Sequence, residues 1–462
     1  MSLLRAISLL PLVFSLGLSA LVIAPALLAA GGDALEQRWR LIGLVSASGL
    51  LLNYLVVVAV GSLRSDMLLE LAIACCCAMV ILAREGRGAV DALRLGLSTT
   101  VCFVLVLGLL GAAILLEPVT AWDARSIWFF HAKMVYFAGG LLKDGGWTAP
   151  CCLFSHTDYP TLMPILAAQA ASLAGFWNEQ LPKFALLMLL VPVLAVTVSY
   201  WRAGLATAAL LLLAWAKLAP LLTDGYMDAL LALYGLFGAL LIGSWLATGA
   251  KLDLATGVLF VGVALGLKNE GSLLAVTLLV CATPVAALAR RDGRQLLSAG
   301  RSEAIRFGGV LLLGIASGAS WLILRKAWGL HNDLNLGLSS LPAIVRRLTD
   351  PEALEMILRS TLVSNHLFYA VLIGGCATGL SYVLRTGRLL EPIFCMAVAS
   401  GYLAGIELVY LATPTDLKWL LATSADRTTV LPALLFLAPA ILLLRDERRW
   451  RIEIALPAWL RH

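Results

Sequence analysis

The residues able to do chemistry in this chain sit in five short polar segments. The first runs Trp122-Asp123-Ala124-Arg125-Ser126-Ile127-Trp128-Phe129-Phe130-His131-Ala132-Lys133. Wound as a helix from Asp123, it puts Asp123, Ile127 and His131 on one side and Arg125, Phe129 and Lys133 on another. Two readings fit: a carboxylate held among cations beside a charged lipid substrate, or a helix whose aromatics and cations anchor it at lipid headgroups. The second segment, Ser155-His156-Thr157-Asp158-Tyr159-Pro160, is either a capped turn or a polar site. Its His-x-Asp pattern recurs at His331-Asn332-Asp333, and His366 stands at another loop edge. These groups are available to a divalent metal but have no compact ligand spacing, so the sequence leaves a metal open and demands no cofactor.

In the third segment, Asp224-Gly225-Tyr226-Met227-Asp228, Asp228 is placed to cap a helix and Asp224 is the freer carboxylate. The fourth, Gly266-Leu267-Lys268-Asn269-Glu270-Gly271, is a charged break between two apolar runs. Charge is expensive among lipid, so such a break is a candidate site by default, and Lys268 suits a phosphate as a point charge. The fifth runs from Thr413 to Asp426 and Arg427, directly before the last apolar run. There Asp426 caps that helix, or Arg427 with its hydroxyl neighbours grips a phosphate. Lys217 and Glu407 lie inside apolar stretches and either pair or snorkel to the surface.

The elements that must carry these residues are membrane helices. Of 462 residues, 61% are hydrophobic and 13% charged, with a mean hydropathy of +0.92. A soluble chain carries about 25% charged residues, so a soluble enzyme, a disordered chain and a nucleic-acid-binding module are excluded. The net charge of +6 is scattered in small clusters and is no nucleic-acid signal. The apolar runs are solid, unlike the alternating strands of a membrane β-barrel. The expected fold class is therefore all-α, a polytopic transmembrane bundle of about 12–14 spans with helices lying on its outer face.

Fourteen apolar stretches are visible, near 6–30, 41–60, 67–83, 95–116, 160–176, 183–200, 204–222, 228–248, 252–267, 271–289, 307–325, 366–384, 392–412 and 428–444. The first imitates a signal peptide but is too long for one and is kept as a membrane helix. Arg84, Arg87 and Arg94, then Arg290, Arg291 and Arg294, then Arg385 and Arg388, then the tail from Arg445 mark the inner side. All five polar segments then fall outside. Three stretches, 160–176, 183–200 and 204–222, separate two outer segments where an even number is needed, so one is partial. The short 160–176, with Pro160, Pro164 and Gln169, is the favoured one. Segments 117–160 and 327–365 are too polar to span; Asp350-Pro351-Glu352 in the second is a helix start. Seven cysteines (Cys75, Cys76, Cys77, Cys102, Cys281, Cys376, Cys395) read as small core residues, and the adjacent Cys151 and Cys152 as loop thiols or a vicinal bridge.

Trp122-Asp123-Ala124 in a large outer loop resembles the GT-C superfamily of integral-membrane glycosyltransferases, in its bacterial branch related to protein O-mannosyltransferases and lipid A aminoarabinose transferases. His156 to Pro160, the helix opened by Asp224 and Asp228, Leu267 to Gly271, and Lys418-Trp419 through Arg427 look similar in the same order. Each motif is short, so their order carries the resemblance, which covers about residues 95–440. The chain departs from the family pattern in placing about four apolar stretches before the acidic loop. The resemblance implies N-terminal helices of open role over 1–94, a catalytic domain over 95–445 with outer loops 117–160 and 327–365, and a basic cytoplasmic tail over 446–462. It implies a polyprenyl-phosphate-linked sugar donor, a glycan, lipid or protein acceptor, surrounding membrane lipids, no nucleic acid, and a periplasm-facing site in a bacterial inner membrane.

On that reading Asp123 is the general base and Asp224 a second acid that positions the acceptor or a metal. Lys268, Arg427 and Lys133 hold the donor phosphate, while Arg125, His131, His156, Asp158, Glu270 and Asp426 support the acceptor side. The rival class is a secondary transporter or lipid translocase, but the chain lacks the paired broken segments and midplane polar sites expected there. A non-catalytic scaffold would have little use for Asp123 among cations.

Overall fold

The computed structural model describes residues 34–63, 97–142, 145–172, 175–201, 215, 218–291, 301–330, 338–363 and 367–445. Stretches 6–30 and 67–83, most of 204–222, the inner cluster Arg84, Arg87 and Arg94, Lys217, His331 to Asp333, His366 and the tail 446–462 lie outside these residues. Everything described is helix, turn or loop. Among the described residues, seven helices are long and apolar enough to cross a membrane, so the protein is a multi-pass helical bundle.

In chain order the helices are α1 (Ala34–Val60), α2 (Leu97–Leu116), α3 (Phe129–Ala138), α4 (Leu162–Ser172), α5 (Phe184–Trp201), α6 (Met227–Thr248), α7 (Lys251–Leu267), α8 (Glu270–Arg291) and α9 (Arg301–Ala327). There follow α10 (Leu341–Leu348), α11 (Pro351–Leu358), α12 (Gly379–Thr386), α13 (Leu390–Ala412), α14 (Leu417–Thr428) and α15 (Val430–Arg445). The run 366–384 is wound wide, as a π-helix over Ala370–Thr378 before α12.

Helix α6 is the axis of the bundle. Every residue from Met227 to Leu246 is buried, because α7, α8, α13, α15 and α5 pack around it. A helix apolar on all sides has no lipid-facing side to keep, so it goes to the centre. Outer helices instead leave a stripe to lipid, as Val276, Leu279 and Val280 do on α8.

Helix α4 bears on the parity problem. It has 11 residues, about 16 Å at 1.5 Å per residue, too short for a core of about 30 Å. The chain leaving it returns to the end it came from: Lys183, just before α5, donates to the carbonyl of Glu117, just after α2. The 160–176 stretch is thus a buried plug rather than a span. Gln169 fixes it, exchanging two amide hydrogen bonds with Asn53 of α1 at 2.8 and 2.9 Å.

Segment 117–160 departs from the surface helix expected of it. Trp128, Phe129 and Ala132 are buried, since α3 packs on α4 and its aromatics fill the gap above that short plug. Segment 327–365 forms α10 and α11, and Asp350 caps α11 through the Glu352 and Ala353 amides as its sequence requires. The buried stripe there is Ala353, Ile357 and Thr361, while Leu358 is exposed. Cys151 and Cys152 are free thiols with their sulfurs 3.7 Å apart.

Replacing Gln169 with Ala leaves the buried Asn53 amide without that partner. The expected loss is about 1–3 kcal/mol, read as a lowered thermal midpoint in detergent. The Asn53→Leu/Gln169→Leu pair should recover most of it, and a double variant no better than the single one would reject the pairing as the cause.

Candidate functional site

The two helix-breaking sequences expected to carry charge are where the site is built. Between α7 and α8 the chain extends through Lys268 (φ −150°, ψ 156°) and turns straight back. Gly271 makes that return possible, since a Cβ there would collide with the Ala264 carbonyl. Before α6, Gly225 takes a left-handed φ of +80°, which glycine adopts without strain, and delivers Tyr226 and Asp228 to the same end of the bundle.

Asp228 is buried, and Lys268 Nζ lies 2.8 Å from its carboxylate and 2.8 Å from that of Glu270. Arg427 Nη1 is 3.5 Å from the second Asp228 oxygen and donates to Asp123 at 2.7 Å. Its guanidinium also lies over the Tyr226 ring, 4.4 Å from the centroid, and donates to the Thr423 carbonyl. One continuous chain of charge results: Glu270, Lys268, Asp228, Arg427, Asp123. It runs from the interior to a rim where Asp123 keeps about a quarter of its side chain exposed. Burial pushes the Lys268 ammonium down, but Asp228 and Glu270 outweigh it and hold the group well above its ordinary value. Glu270 Oε2 is buried with no hydrogen-bond partner among the described residues.

Each of these charges sits at the helix end that favours it. Asp228 and Glu270 lie in the first turns of α6 and α8. Lys268 follows the last turn of α7 and Arg427 is in the last turn of α14. Acid at an N-terminus and base at a C-terminus are both stabilised by the helix dipole.

Of the expected residues, the structure brings Asp123, Lys268, Glu270 and Arg427 together. Asp158 is one step away: it accepts from Asn269 Nδ2 at 2.6 Å and stands 4.0 Å from Arg325. Asp224 sits beside Tyr226 with no hydrogen bond or ion pair to its carboxylate among the described residues. Asp228, expected as a cap, makes no capping bond and is instead the centre of the chain of charge. Its neighbourhood in sequence carried no sign of this, because its partners Lys268 and Arg427 are remote along the chain. Asp426 is exposed on α14. The segment before the last apolar run is itself this helix, capped by Asp416 through the Trp419 amide at 2.8 Å, so Asp426 caps nothing.

Lys133 and Arg125 are not part of the charged chain. Lys133 pairs with Glu179 at 2.9 Å, and both cations line a separate groove. Regular helical spacing already sets Arg125 and Lys133 on a different side from Asp123, and the chain between them includes a π-helical turn over Ala124–Trp128. His131 faces the interior, packing edge-on against Trp147 and bonding Ser155 Oγ at 3.0 Å. Burial lowers its pKa from 6.5 to about 3, so it is a neutral core residue. His156 takes a left-handed φ of +52° with its ring edge-on to Tyr159. Glu407 accepts from Thr361 at 3.2 Å. No cluster of three His, Cys, Asp or Glu suited to a metal occurs among the described residues.

Compared with known proteins, the chain matches no family model, no curated protein and no solved structure.

Lys268→Met takes the ammonium from the buried Asp228 and the partly buried Glu270 and should cost about 3–5 kcal/mol, seen as loss of the folded protein or a steep drop in its thermal midpoint. His131 supplies a pH test. Its folded pKa is depressed, so the unfolded state binds the extra proton, and stability is lost as pH falls below 6.5 toward 3. His131→Gln should flatten that acid-side decline; an unchanged slope would move its origin elsewhere.

Proposed function

We propose that this protein is a glycosyltransferase of the GT-C type, moving a sugar from a polyprenyl-phosphate-linked donor to an acceptor hydroxyl at the membrane surface where Asp123 lies. The observation that carries the reading is the Asp123 and Arg427 contact. These side chains are 304 residues apart and meet at 2.7 Å, both partly exposed, at the rim of the buried charge chain. A base and a cation are the two groups this reaction needs side by side.

The chemistry is set by the charges. The acceptor hydroxyl gives its proton to Asp123 as its oxygen attacks the anomeric carbon, and the carbon–oxygen bond to the lipid phosphate breaks with its electron pair going to the phosphate. Attack opposite the leaving group inverts the anomeric centre. Asp123, Asp228 and Glu270 against Lys268 and Arg427 make three negative and two positive charges, a net of −1. Protonating Asp123 brings the chain to neutrality and releases an Arg427 donor as charge grows on the departing phosphate. Stabilising developing charge with a pre-held cation is the largest single contribution in many enzymes. Lys268 is almost wholly enclosed by its carboxylates, which makes it a holder of Asp228, and through it of Arg427, rather than a direct phosphate ligand. The described charges cluster at the two ends of the bundle, with Arg40 and Asp253 paired at the other, and not midway, where a transporter holds its cargo.

Asp123→Asn keeps an oxygen for Arg427 and should fold normally. It should cut transfer by roughly 10²–10⁴-fold, measured as polyprenyl phosphate released from a panel of polyprenyl-phosphate hexoses and pentoses. Near-normal turnover in that variant would sink the base assignment.

A further inference from the structure

On the other face of the Asp123 segment lies a groove of about 570 Å³. It is lined by Pro118 and Val119, just after α2, and by Trp122, Arg125, Phe129, Lys133, Glu179 and Lys183. Three cations and one carboxylate line it, a net of +2. Arg125 is exposed, and its side chain makes no hydrogen bond or ion pair among the described residues. Lys183 is 1% exposed, donates to the neutral Glu117 carbonyl, and has no carboxylate within ion-pair distance among the described residues. A buried ammonium facing a cavity in this way is poised for an anion. The exposed Glu117 and Glu179 carboxylates act on it from a distance, and the Lys133 and Glu179 pair is solvent-exposed, so it contributes little and yields readily.

The apolar surroundings say what kind of anion. Trp122 and Phe154 stand exposed at the groove. Below it, α2 presents Val101, Leu105, Leu109 and Leu116 in one exposed row that ends at the groove. Their spacing of four, four and seven keeps them on one helix face. A charged pocket at the head of an apolar ridge matches an amphiphile.

We propose that this groove is a headgroup site for an anionic membrane phospholipid. Arg125, Lys133 and Lys183 hold its phosphate, Trp122 and Phe154 flank the glycerol region, and its chains lie along α2. The site is separate from the Asp123 and Arg427 contact and does not depend on the transferase reading.

The test is native mass spectrometry of the full-length detergent-solubilised protein titrated with phosphatidylglycerol or phosphatidylcholine. Wild-type protein should retain phosphatidylglycerol preferentially. Arg125→Ala/Lys133→Ala should lose about fivefold of that preference per cation removed, with an unchanged thermal midpoint. Asp123→Asn should keep the preference in full, which separates this site from the proposed catalytic one. Equal retention of the two lipids by wild-type protein, or an undiminished preference in the double variant, would overturn the proposal. So would displacement of phosphatidylglycerol by equimolar inorganic phosphate, which would assign the groove to a free anion.

Discussion

The enclosed ammonium of Lys268 is the interaction on which the charged end of the bundle depends. A cation this buried is tolerable only with counter-charges in contact, and Asp228 and Glu270 provide two at 2.8 Å. The requirement propagates. Asp228 must be carried at the start of the central helix α6, and Glu270 must come within two residues of Lys268, so α8 has to begin where α7 ends. Gly271 permits that approach. The second oxygen of Asp228 then faces Arg427, which fixes α14 over the site and leaves Asp123 at the rim.

The parts around this chain of charge are arranged to hold it still. Arg347 of α10 donates to the carbonyls of Tyr410, Leu411, Thr413 and Thr415. It thereby ties down the end of α13 and the turn into α14, the helix that carries Arg427. Tyr410 reaches the Ser424 and Thr428 hydroxyls on α14. On the other side, α4 fills the space beneath α3, held by the Gln169 and Asn53 amides, and Trp321 donates to the Asp158 carbonyl at 2.9 Å. The segments expected to lie on the membrane surface act as braces through particular side chains, Arg347 of α10 and the buried Trp128 and Phe129 before and in α3.

Much of this was legible from residue order. The charged break at Lys268 to Glu270, the acid at Asp123 and the cation at Arg427 stood out because charge is rare in this chain. Counting pointed to one partial stretch among 160–222, and shortness with Pro160, Pro164 and Gln169 favoured 160–176. The roles of Asp228, Lys133 and His131 were not legible. Asp228 occupies a position where a cap is the simplest local explanation. Lys133 and His131 meet partners remote along the chain, Glu179 and Ser155, which helical spacing does not reveal.

The sequence by itself determined the class of structure and the placement of charge along it. Long apolar runs must be helices in lipid, because every backbone polar group has to be satisfied within the segment. Charged residues must then gather at the breaks. Which charges meet was decided only by the tertiary structure. Pairing Asp123 with Arg427 across 304 residues depends on how the helices pack around α6. Packing is collective, and no local pattern encodes it.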